Sequence, residues 1–102
     1  MSPNSCDIIS GSTRFRPARR LPGRRLAAET VVVDPQNRKV FSLNAVAGAV
    51  WAAVERGATE AEIVDEIVAR FRVDGARARS DVDGFLLQLE TLGLAVRAEP
   101  QP

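Results

Sequence analysis

Residues 29–54 read ETVVVDPQNRKVFSLNAVAGAVWAAV, and the change of period inside this stretch decides the fold class. Glu29 to Val33 is a β-branched run and Lys39 to Leu43 alternates apolar and polar residues, so both are expected as strands. Between them lie Asp34, Pro35, Gln36 and Asn37. Proline sets one central dihedral of a turn there and asparagine tolerates a positive one, which makes the pair a hairpin. On the second strand Phe41 and Leu43 share a face and are expected to look into a core, with Val40 and Ser42 on the other. At Asn44 the period switches. The asparagine side chain can accept from an unpaired first-turn amide, and Val46, Ala49, Val50, Ala53 and Val54 then recur at helical spacing until Gly57. Trp51 falls near the border of that stripe, where core filler is the first reading and a partner contact the second.

Toward the N-terminus, Arg19 to Leu26 is a weaker, Pro-interrupted strand segment. Pro22 cannot donate to a ladder, so this segment belongs at an edge. Residues 1–13 are rich in Ser, Asn, Gly and Pro without any period and are expected to be a mobile tail. Toward the C-terminus, Thr59-Glu60-Ala61-Glu62 has the form of a capping box. Ile63, Val64, Ile67, Val68 and Phe71 make the buried stripe of a second helix, and Glu60, Glu62, Asp65 and Glu66 its acidic outer face. A third helix is expected after Asp74, with Ser80 and Asp83 as a competing start. It buries Val82, Phe85, Leu86, Leu89 and Leu92 before Gly93 ends it, with Leu87 off the stripe as an exposed apolar contact. The layout is α+β, a small antiparallel three-stranded sheet followed by three helices that must pack together because each is too short to stand alone. One domain is expected over residues 14–97, between tails at 1–13 and 98–102.

Composition narrows the chemistry. The chain has 102 residues with no His, no Tyr and a single cysteine, Cys6. An internal disulfide or a Cys-rich zinc site is therefore ruled out within one chain. The side chain that most often moves protons near neutral pH is missing, and the carboxylates are expected on exposed helix faces rather than in pockets that would shift their pKa values. Catalysis of its own, a metal and a cofactor are thus not expected. The net charge is only +1, yet residues 1–43 carry eight basic and three acidic side chains and residues 44–102 six basic and ten acidic. Arg14, Arg16, Arg19, Arg20, Arg24 and Arg25 crowd one stretch, readable as a solvated or partly disordered arm or as a docking patch for an acidic partner. The apolar run at 44–54 is too short to cross a bilayer and the first ten residues lack a signal-peptide core, so the expected location is cytoplasmic.

From Glu29 to Asn44 and onward the sequence resembles the PqqD-like family. An acidic residue precedes a Val-rich strand, and a polar turn leads to a strand closing in Ser42-Leu43-Asn44 and an Ala-rich helix containing Trp51. Gly57-Ala58-Thr59 with Glu62-Ile63-Val64, then Ser80-Asp81-Val82, Phe85-Leu86 and the run from Leu89 to Leu94, continue the match across roughly residues 18–96. Each motif alone is a cap or a core pattern; their order and spacing carry the resemblance. Where members devoted to pyrroloquinoline quinone assembly have a Pro-Glu-Gly-like stretch, this chain has Pro35-Gln36-Asn37, closer to the recognition domains found beside radical-SAM enzymes or in lasso-peptide clusters.

The resemblance implies a winged helix-turn-helix-like fold. It also implies binding of the leader segment of a ribosomally made precursor (RiPP) peptide, which is added as a strand on the sheet edge beside the third helix and delivered to a modifying enzyme such as a radical-SAM maturase or a lasso leader peptidase. On that reading Lys39, Val40, Phe41, Ser42 and Leu43 supply backbone hydrogen bonds. Specificity then falls to Val40 and Ser42 on the strand and to Val82, Asp83, Leu86, Leu87 and Glu90 on the helix, although Val82 and Leu86 serve equally well as core. Two rivals stand beside it. A winged-helix DNA binder needs cations on its recognition helix, where Glu60, Glu62, Asp65 and Glu66 stand instead, and the arginine cluster has only Phe15 as an aromatic neighbour. The other rival is an enzyme-binding adaptor that takes no peptide.

Overall fold

The structure, a computed structural model, describes residues 9–98. The expected tail is described only from Ile9 onward, and Cys6 and the segment 99–102 lie outside the described residues. In chain order the elements are β1 (Arg14–Pro17), β2 (Gly23–Leu26), β3 (Glu29–Asp34), β4 (Lys39–Leu43), α1 (Ala45–Glu55), α2 (Glu60–Phe71), α3 (Gly75–Thr91) and β5 (Ala95–Ala98). Strands β2, β3 and β4 form one antiparallel sheet in that order, and β1 pairs with β5 in a second, two-stranded ladder. The α+β layout is as read from the sequence. The β1–β5 ladder is an addition to it, joining Arg14 to Ala98 and Pro17 to Ala95 across nearly the whole chain.

Local chemistry sets most element boundaries. Asn44 Oδ1 accepts from the Ala47 amide at 2.8 Å to open α1, and Gly57 leaves it at φ +76°. The capping box forms as expected: the Glu62 amide donates to Thr59 Oγ1 at 3.2 Å and the Thr59 amide to Glu62 Oε1 at 2.8 Å. For α3 it is Asp74, not Ser80, that caps, its Oδ2 accepting from the Arg77 amide at 3.1 Å. The hairpin turn departs from expectation. The positive φ falls on Arg38, at 56°, and not on Asn37. Asn37 is occupied otherwise, its Nδ2 donating to Asp34 Oδ2 at 2.8 Å.

Asp34 closes a larger clasp. It is 1% exposed, and Arg19 grips it through NH2 to Oδ2 at 2.9 Å while its NH1 donates to the Gly93 carbonyl at 3.1 Å. The Arg19 hydrogen bond, then those from Asn37, hold this carboxyl below its usual range against the opposing effect of burial. One side chain thus ties the turn, the β1–β2 connection and the end of α3. The arginine-rich stretch is accordingly no disordered arm: residues 14–17 are ladder, Arg14 donates to the Gly57 carbonyl, and Arg19 is in the clasp.

The core runs between the sheet and the helices through Val32, Val50, Trp51, Val54, Ile63, Leu86 and Leu89, each at most 2% exposed. Phe15 joins it at 0%, with the Arg97 guanidinium 5.7 Å from its ring centre. The residues before β1 also belong to the packing. The Thr13 and Gly11 carbonyls accept from the Glu60 and Ala61 amides at 2.8 and 3.0 Å, which satisfies orphan donors at the start of α2.

Gly48 lets α1 approach β3. A Cβ there would stand 2.6 Å from Thr30 Oγ1 and 3.2 Å from Thr30 Cβ. Gly48→Ala is therefore expected to destabilise the protein by about 1 kcal/mol, overpacking outweighing the gain in helix propensity. Thr30→Ala in the same chain should recover part of the loss, read as a coupling in a double-mutant denaturation cycle.

Candidate functional site

The hydrogen-bonding parity of the sheet follows from one bond outside the strands. The Val33 amide donates to the Pro22 carbonyl at 2.8 Å, so Val33 directs its backbone toward β2. Alternation along an antiparallel strand then sends Thr30, Val32 and Asp34 toward β4. Their partners are Leu43, Phe41 and Lys39. Val40 and Ser42 consequently point their N–H and C=O groups away from β3, to an edge on which no strand lies among the described residues. Their side chains lie on the outer face, Val40 at 66% exposure, and Ser42 Oγ donates to Glu29 Oε1 at 3.3 Å. Phe41 and Leu43 pack inward against the core, as the alternation predicted.

Past the end of β4, from Asn44 onward, the chain lines a cavity of about 320 Å³ between the start of α1 and the middle of α3. Val46, Val50, Val82 and Phe85 form its apolar lining, with Asn44 and Asp81 also on its wall. Asp81 is exposed and only loosely paired with Arg77, 3.7 Å away. The combination is an open strand edge running into an apolar hollow with a carboxylate in its wall. Such a shape suits an extended peptide, whose backbone the edge can pair and whose side chains the hollow can sort.

The five candidate residues on α3 divide. Val82 is 1% exposed but lines the hollow, and Leu86, at 0%, is core. Asp83, Leu87 and Glu90 lie about half a turn round the helix from Asp81 and Phe85, so they face away from the hollow. Their neighbours agree with this. Glu90 is held by Arg97 in a two-bond pair at 2.8 and 3.1 Å, and Asp83 is drawn to Glu60 on α2. Asp81 and Phe85, which the sequence reading did not assign to the site, are the α3 residues that line the hollow with Val82. An unequal pattern on α3 was the available signal: Phe85 sits at the rim of the apolar stripe, beside a charged position one turn earlier.

Glu60 overturns the expectation of an all-exposed acidic face on α2. It is 0% exposed, and neither carboxylate oxygen has a hydrogen-bond partner if the group is ionised. Burial first, and the facing Asp83 second, push its pKa up to about 7, opposed only by Arg79 at 3.7 Å. A proton on Glu60 would let it donate to Asp83, whose Oδ1 is likewise unpartnered. Glu62, Asp65 and Glu66 still leave the outer face of α2 acidic, and with Phe15 buried the arginine stretch has no aromatic to stack on a base. Among the described residues no helix is long and apolar enough to cross a membrane, and no group of three or more Cys, Asp and Glu side chains is arranged to hold a metal ion.

Residues 29–95 match the family model described as coenzyme PQQ synthesis protein D (PqqD). Among solved structures the chain is similar to TbiB1 in complex with the TbiA(beta) leader peptide, at 29% identity and a TM-score of 0.72, with 78% of this chain and 93% of that one covered. It also shares its fold with lasso peptide synthetase B1 complexed with the leader peptide, at 18% identity and a TM-score of 0.72, covering 80% and 96% of the two chains. No curated protein matches it.

Proposed function

This chain belongs to the PqqD family, and from that premise we propose that its β4 edge captures the leader segment of a ribosomally synthesised precursor peptide and presents the precursor to a modifying enzyme. The observation that carries the proposal is the pair of outward backbone groups on Val40 and Ser42 beside the hollow lined by Val46, Val50, Val82 and Phe85. The leader adds as a fourth strand, taking two residues' worth of N–H and C=O partners. Its apolar side chains enter the hollow, and a basic leader residue meets Asp81. That both structural neighbours hold leader peptides supports the reading. The domain acts by binding and positioning; the chain has no His or Tyr to move a proton for a reaction of its own. The enzyme it serves is a maturase or leader peptidase that must reach the precursor while the leader is held.

Titration of the labelled protein with the precursor's leader tests this directly. The amides of Val40 and Ser42 are expected to shift and to gain protection from hydrogen exchange, together with methyl shifts at Val46 and Val82. The sheet has a second free edge at β2, where the same parity turns Gly23 and Arg25 outward. Shifts confined to Gly23 and Arg25, with Val40 and Ser42 unmoved at saturation, would overturn the assignment to β4.

A further inference from the structure

The arginines that the clasp and the β1 ladder leave over, and a buried indole, meet at a second cavity. It measures about 410 Å³ and lies between β2, α1 and the C-terminal end of α2. Arg24, Arg25 and Arg70 are on its wall, Ala49 and Phe71 give it apolar surface, and Glu55 is the single acidic group lining it. Arg24 and Arg25 are exposed and have no ion-pair partner among the described residues. Trp51 also lines the cavity. The residue is 2% exposed, and its Nε1 is buried without a hydrogen-bond partner. That atom is covered by β2, 3.7 Å from where a Cβ on Gly23 would stand, so it is the ring and not the N–H that meets the cavity. Arg70 is shared with Glu66 at 3.5 Å, whereas Arg25 on the same wall is unpaired among the described residues, and such guanidinium groups at the rim of an apolar wall call for an anionic partner.

The position of this cavity relative to the leader site gives it meaning. Ala45, Gly48, Ala49 and Ala52 of α1 line it, whereas Val46, Ala47 and Val50 line the hollow beside β4. These two sets lie about half a turn apart on the same helix. The two cavities also flank opposite edges of the three-stranded sheet, β2 on one side and β4 on the other. Both can be filled at once.

We propose that the cavity at β2 is a docking site for an acidic segment of the protein that receives the precursor, a carboxylate side chain entering between Arg25 and Arg70 on the inner face of β2, with an apolar neighbour against Phe71 and Trp51 beneath it. This rests on the leader-capture reading for its purpose, though not for its chemistry. Delivery requires that the carrier hold leader and enzyme together, and a site on the far edge meets that requirement. The occupant is a carboxylate rather than nucleic acid. Glu55 in the wall repels a phosphate backbone, and the one aromatic with a polar donor is too deeply buried to stack on a base.

Trp51 is the only tryptophan and the chain has no tyrosine, so one indole resonance and one fluorophore report on the cavity. The probe is a short acetylated peptide of alternating glutamate and leucine, titrated into the full chain with and without saturating leader peptide. A saturable shift of the Trp51 indole N–H is expected in both conditions, with the Val40 and Ser42 amides unmoved by the acidic probe. The double variant Arg24→Glu/Arg25→Glu should weaken the probe roughly tenfold or more while leaving leader binding intact. Leader binding without any indole response, an unchanged probe affinity in the double variant, or displacement of the probe by leader overturns the inference and spares the leader reading. Indole shifts with a leader that fails to bind keep the acidic site and overturn the leader reading instead. Stronger indole shifts from a duplex oligonucleotide than from the probe would assign the cavity to phosphate and overturn the proposal.

Discussion

Val40→Pro is expected to weaken leader binding by roughly ten- to a hundredfold while shifting the melting temperature by no more than a few degrees. The expectation follows from parity. The Val40 amide points to the open edge, so proline removes a donor that only the incoming strand uses, and its ring obstructs that strand's approach. The neighbouring substitution has the opposite signature. Phe41 lies opposite Val32 in a bonded pair and packs inward, so Phe41→Pro removes a ladder bond and core contact together. It should cost about 3 kcal/mol or more of stability. Calorimetric leader titration and thermal melts of both variants check the contrast. A Val40→Pro protein that melts as early as Phe41→Pro would mean that β4 is paired in the other register, and the capture edge would have to be sought elsewhere.

The second large effect is a pH dependence centred on Glu60. Its neighbours are Asp83 and Arg79 from α3 and the carbonyl of Thr13, which accepts from its backbone amide. Its folded pKa of about 7 stands above the ordinary 4.5. A carboxyl raised in this way binds more protons folded than unfolded, so its contribution is complete below about pH 4.5 and is lost as pH rises through 7. The difference corresponds to a loss on the order of 3 kcal/mol by pH 8.5. Glu60→Gln keeps the shape, can donate to Asp83 at every pH and should be more stable than the wild type in alkali by a similar order. Asp34 and Glu62 act in the reverse sense. Hydrogen bonds from Arg19 and from the Thr59 amide hold them below their ordinary values, so what they contribute is present at neutral pH and is lost only in acid. Urea unfolding between pH 5.5 and 8.5 separates these effects. Parallel profiles for wild type and Glu60→Gln would show that Glu60 is ionised at no cost and that it carries no proton to donate to Asp83. Since Asp83 lies on the helix that walls the leader hollow, the same titration followed by leader affinity reports whether the two are linked.

Local physics explains what was legible from residues alone. A cap needs an oxygen two or three residues from its amide, and a hairpin needs turn chemistry between two alternating runs. Asn44, the Thr59–Glu62 box and the β3–β4 pair therefore declared themselves, and so did the inward Phe41 and Leu43 against the outward Val40 and Ser42. The family resemblance read across roughly residues 18–96 has the same origin, being made of those caps and stripes in order. Three things needed the folded chain. Pairing of β1 with β5 brings Phe15 opposite Arg97, two four-residue strands whose mutual affinity is invisible at such separation in sequence. The flank of α3 that meets the hollow was decided by what packs on the other side, Glu60 from α2 and Arg97 from β5, which take Asp83 and Glu90 out of reach. Glu60 itself sits in a helix turn that looks amphipathic with acid outward, and only the arm at Gly11 to Thr13 and the close approach of α3 bury it. Periodicity names the faces of an element. Which face turns to which neighbour is a sum over many weak contacts from distant residues, and that sum exists only once the chain has packed.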